Sequence, residues 1–203
     1  LSLKATANIS RDKMTNKWAY SHSKHNSILP EPSACQDLND QEFIILYRFF
    51  VQHSPCNAQS RQSITFEERG WKGNIQNNGL GKKLDDAIKG QKGPFFIPRQ
   101  YNGAGLEILF RKANLSDGPL KDTTTERAAT KSGSESNSWL RLFRHIRNCL
   151  AHGTFAILPR NEQGKVPVVM EDKDRTSYTA RMVFSVETLL SWAKIIESGP
   201  KAG

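Results

Sequence analysis

A chain of 203 residues, 37% of them hydrophobic, can bury a core of its own without disulfide or metal support. It has no apolar run long enough to span a membrane, and Cys35, Cys56 and Cys149 sit at no disulfide-like spacing, which favours a reducing cytoplasm. The balance of 29 Lys and Arg against 20 Asp and Glu gives a net charge of +9, a field that draws polyanions, nucleic acid foremost.

Residues 1–36 are rich in Ser, Asn and Lys and follow no steady period, so they are expected to form an arm or cover, with Trp18 and Tyr20 as anchors. Residues 37–203 are expected to form a single domain. Its first helix has good start signals: Asn39 as N-cap, Glu42 three residues on, and Leu38 with Phe43 as a hydrophobic staple. It runs to about His53, where Ser54-Pro55 stops it. The stretch 57–105 reads as a glycine-rich insertion. Within it, Leu80, Leu84 and Ile88 at steps of four predict a short helix ending at Gly90. Another short helix is expected over Gly105–Asn114, followed by a mobile polar loop over 116–136.

The strongest helix signal covers Ser138 to Gly153. Trp139, Leu142, Phe143, Ile146 and Leu150 recur at three- and four-residue steps and predict a buried face. Arg141, His145, Asn148 and His152 follow steps of four, three and four and are expected along the opposite edge. Ser138 reads as the N-cap and Gly153 as the residue that ends the helix. The period then drops to two. Phe155–Leu158, Val166–Met170 and Ala180–Phe184 read as a small antiparallel meander, with turns over Asn161–Gly164 and Glu171–Ser177. Ser185 caps a last helix carrying Val186, Leu189, Leu190, Ala193 and Ile196, ended by Gly199-Pro200. The expected fold is mainly α, a helical bundle with the meander inserted before the last helix.

The central helix carries three arginines, two histidines and no acid, a composition that suits a phosphate better than bulk water. Arg147, four residues that begin with Asn148, then His152 is its most specific feature. Arg48 to His53 repeats the bare Arg-to-His spacing, but there Phe49, Phe50 and Val51 follow the arginine and read as core. Arg147-Asn148 with His152, late in a helical chain, resembles the Arg-x(4–6)-His signature of the HEPN superfamily. Leu189-Leu190-Ser191-Trp192 is also similar to bacterial members of that group.

The resemblance implies a four- or five-helix bundle that dimerises and a metal-independent endoribonuclease of the toxin or anti-phage defence kind, with no cofactor and no metal. It implies RNA as substrate, a homodimer, and an antitoxin or other protein partner. Arg147 would clamp the phosphate, His152 would transfer protons, and Asn148 would orient one of them. Arg141, Arg144 and His145 would extend the RNA-binding surface. The alternative is a non-catalytic module that binds RNA or a protein partner, with Arg147 and His152 serving packing or dimer contacts; a purely structural motif would have them cap the helix and pair with acids on a neighbouring element. Lys82, Lys83, Lys89 and Lys92, with Phe95, Phe96 and Tyr101 nearby, form a second candidate surface for a nucleic-acid backbone. His22, His25, Cys35, His53 and Cys56 are spaced in pairs but in no common zinc-site order.

Overall fold

The apolar runs after the central helix are strands, and the sheet they build is larger than a meander. The computed structural model describes residues 27–56, 62–75, 77–88, 95–96, 104–116, 118–131, 137–175 and 177–200. Among these residues lie helices α1 (Asp40–Tyr47), α2 (Leu80–Ala87), α3 (Ala104–Lys112), α4 (Ser138–His152) and α5 (Val186–Glu197). The strands are β1 (Phe95–Phe96), β2 (Arg127–Thr130), β3 (Phe155–Ile157), β4 (Pro167–Asp174) and β5 (Ser177–Ser185). They form one sheet in the order β1-β2-β5-β4-β3, antiparallel except for the β1–β2 pair. The fold is therefore mixed α/β, and the expectation of a mainly helical bundle is corrected.

Both faces of the sheet are buried, which is why its inner strands read as continuous apolar runs. Val168, Met170, Ala180, Met182 and Phe184 face the core shared with α2, α4, α5 and the segment after α1. Val169, Val183 and Ala129 point the other way, into a second core with Ile28 and with Leu106, Leu109 and Phe110 of α3. The alternation of side chains along a strand divides these residues between the two layers.

Two departures from expectation have one cause. Residues 127–130, expected in a mobile polar loop, are the fully buried strand β2. Arg127 there donates to the carbonyls of Thr125 and Asp122, at 2.7 Å each. The neighbouring Glu126 accepts from the Ser185 amide at 3.0 Å, the Ser185 hydroxyl at 2.5 Å and the Thr188 hydroxyl at 2.8 Å. Likewise, Glu171 to Asp174, expected as a turn, continue β4, with Glu171 and Asp172 finding partners inside the protein. Polar residues can be buried when their hydrogen bonds are made.

The caps are more local. Asn39 Oδ1 accepts the Glu42 amide at 2.9 Å and starts α1, whose last turn widens into a π-helical segment at Arg48–Gln52. Ser185 Oγ accepts the Thr188 amide at 3.1 Å and starts α5. The cap of α4 is Asn137 rather than Ser138, its Oδ1 accepting the Trp139 amide at 2.9 Å. Gly153 ends α4 at φ 67°, a conformation that glycine adopts without strain. Trp18, Tyr20, His22, His25, Lys89, Lys92 and Tyr101, and the side chains of Phe95 and Phe96, lie outside the described residues.

An aromatic cluster locks α4 to its neighbours. Phe143 is fully buried against Phe50, Phe66, Trp139 and Trp192, with ring centroids 5.7–6.1 Å apart. Trp192 also donates its indole N–H to the Leu84 carbonyl at 3.1 Å, tying α5 to α2. Replacing Phe143 with Ala should cost about 3–5 kcal/mol of stability, read from urea unfolding. Cys149 sits in the same core; burial, with help from the nearby Asp172 and Glu171 charges, pushes its thiol well above the ordinary range. Alkylation at pH 8 should label exposed Cys35 in the native protein and reach Cys149 only after unfolding, as peptide mass mapping would show.

Candidate functional site

Helix α4 lays its apolar stripe on the core and turns its polar residues towards the open end of β4. They are not a uniformly solvated edge, as the helical period alone suggested. Arg141 is 1% exposed and His145 4% exposed, so both lie inside the protein. Arg144, Arg147 and Asn148 are half-buried, and His152 is exposed in the last turn. The reason is that α4 packs against β4, so the inner part of its polar face meets the sheet instead of water.

What it meets there is Asp172, a buried residue of β4. His145 Nδ1 lies 2.6 Å from Asp172 Oδ2 and, carrying the ring proton, donates to it. Asn148 Nδ2 donates to the same oxygen at 3.1 Å. Asn148 Oδ1 in turn accepts from Arg147 Nη1 at 3.2 Å. A single carboxylate oxygen thus gathers His145 and Asn148, and Asn148 hands the order on to Arg147. His145 Nε2 is buried and makes no hydrogen bond among the described residues. His152 takes no part in this chain of bonds.

Beside the chain opens a cleft of about 370 Å³. Arg144, His145 and Asn148 of α4 form one wall, and Asp172, Lys173 and Asp174 of β4 form another. Lys131, just past β2, and Thr179 of β5 complete it. A bulge shapes this end of the sheet: Asp172 pairs with Ala180 but Lys173 pairs with Tyr178, which leaves Thr179 as the extra residue. Three cations border the cleft, Lys131, Arg144 and Lys173, against the two acids. Of the expected catalytic residues only Asn148 lines it; Arg147 and His152 lie outside its lining. Of the expected RNA-binding residues, Arg144 and His145 line it and Arg141 does not.

Sequence reasoning missed Asp172, Lys131, Lys173 and Thr179. A signal for Asp172 was present. A hairpin turn needs only two to five residues, whereas Glu171 to Ser177 spans seven. A tighter turn extends the second strand through Asp172 and turns that residue towards the face on which Met170 lies. Among the described residues no group of His, Cys, Asp and Glu is placed to hold a metal ion. None of the described helices is long and apolar enough to cross a membrane.

No curated protein and no solved structure matches the chain. The model of one protein family, described as HEPN pEK499 p136, matches residues 93–198. The matched region begins just before β1 and ends just beyond α5, so it takes in the whole sheet, α4 and Asp172. With more than half of its length matched, the chain belongs to the HEPN pEK499 p136 family.

Proposed function

We propose that this HEPN protein is a metal-independent endoribonuclease whose reacting groups are Arg147, Asn148 and His152. The observation that carries the reading is the hydrogen-bonded Arg147–Asn148 pair on α4, with exposed His152 about one turn further along the same helix. Arg147 holds the scissile phosphate and stabilises the charge that develops on it. A base removes the ribose 2′-OH proton, the 2′ oxygen bonds to phosphorus, and the P–O5′ bond breaks. His152 protonates the leaving 5′ oxygen, giving a 2′,3′-cyclic phosphate and a free 5′-OH. His152 is exposed in the last turn of α4, where a leaving group can reach it. In a homodimer the partner's copy of the same histidine serves as base.

Arg144, with Lys131 and Lys173, carries the RNA backbone along the cleft. Arg141 and His145 support the site from inside. The net charge of +9 favours a polyanionic substrate. The biological setting we propose is a cytoplasmic toxin or anti-phage defence effector, held in check by an antitoxin or other protein that covers the basic cleft.

The test mixes the purified chain with an RNA pool in excess EDTA, alongside His152→Ala and His53→Ala. The parent and His53→Ala should cleave RNA, and His152→Ala should be slower by about 100- to 10,000-fold. Salt-dependent RNA binding without cleavage by any of the three would instead favour a non-catalytic RNA-binding module.

A further inference from the structure

We propose that Asp172 is a positioning residue for the Arg147–Asn148 pair, acting through Asn148 from the neighbouring sheet. The proposal rests on the ribonuclease reading above and adds a residue remote in sequence to it. Free in water, an Asn side chain has two orientations of nearly equal energy, and an Arg side chain has many. Asp172 removes that freedom. Because Oδ2 accepts only from donors, the Asn148 amide must turn its NH2 towards Asp172, and its oxygen is left for Arg147 Nη1. His145 Nδ1, at 2.6 Å from the same oxygen, adds a second hold on the carboxylate.

The carboxylate sits on a rigid element. β4 is paired with β3 through Met170 and with β5 through Asp172, which lies opposite Ala180 at the edge of the bulge. Arg144 on α4, Lys131 beyond β2 and Lys173 on β4 surround the acid with positive charge, with Asp174 as the second acid. The group that orients the guanidinium is thus held by the sheet, while the guanidinium itself is on the helix. Pre-organisation of this kind lowers the cost of placing a charge where the phosphate needs it.

The experiment is a double-mutant cycle on the full chain, with Asp172→Asn, Asn148→Ala and the double variant, each measured for kcat, KM and melting temperature. Asp172→Asn should lower kcat about 10- to 100-fold while KM moves about threefold or less, as outer partners of functional side chains do. In the Asn148→Ala background the same change should alter kcat about twofold or less, since the residue acts through Asn148. Equal losses in both backgrounds would assign Asp172 a purely structural role and overturn the proposal. If Asp172→Asn does not fold, Asp172→Glu, which shifts the carboxylate by one methylene, takes its place in the cycle. Should the parent cleave no RNA, the ribonuclease reading fails on its own. The cycle is then read on the Kd for a 2′-deoxy analogue of the RNA, where non-additivity upholds the positioning role and additivity overturns it. A parent that does not bind that analogue overturns both readings.

Discussion

Two consecutive acids on one strand hold the layers of this protein together. Side chains alternate along β4, so Glu171 and Asp172 leave it on opposite faces. Glu171 reaches into the α3 side, where the Ser27 hydroxyl donates to it at 2.6 Å, the Ile28 amide at 2.9 Å, and Arg181 Nε lies 3.1 Å away. Asp172 reaches into the α4 side and takes His145 and Asn148. A buried carboxylate without partners would be strongly destabilising; with donors in place it becomes a directional tie between a sheet and the layer above it. Apolar packing supplies the attraction between these layers, but it has no direction of its own. The two acids set the register in which each layer lies on the sheet.

That arrangement also explains how a HEPN helix comes to sit on a five-stranded sheet. The Phe143–Trp192 cluster presses α4 against α5 and the segment after α1. The polar residues of α4, facing the other way, then meet β4 and not open solvent. The helix is therefore clamped by rings along one stripe and by a carboxylate along the other. His152, in the last turn, is exposed.

Much of the fold was legible in the sequence because its signals were local. The extent of α4, the Asn39 and Ser185 caps, the position of β3 and the stripe of α5 depend on residues two to four apart, and the structure has all of them. The order of polar residues along α4 was equally plain. Asp172 and β2 were not, because what makes them strand is remote: Glu126 is satisfied by Ser185 and Thr188, and Asp172 by His145 and Asn148. Read alone, Glu-Asp-Lys-Asp has the composition of a turn. Only the donors on α4 and β5 make burial there favourable, and no periodicity within the stretch could announce them. The mainly helical expectation failed for the same reason, since it placed in loops the polar stretches that widen the sheet.

The hold of Glu171 on Ser27 and Ile28 has a consequence for the order of folding. These pairs lie 144 and 143 residues apart in the chain, whereas α4, β3, β4, β5 and α5 follow one another directly. Closing so long a loop adds only modestly to the entropic cost, because that cost grows with the logarithm of length. Timing is affected far more. The carboxylate and Arg181 are brought together only by the β4–β5 pairing, so the seat for Ile28 does not exist until the hairpin has formed. Ile28 is wholly buried in the finished protein, yet its segment docks late onto a surface built by others. By the same logic it is the seam that opens first when the native state fluctuates, while the 137–197 stretch with its motif helix stays closed.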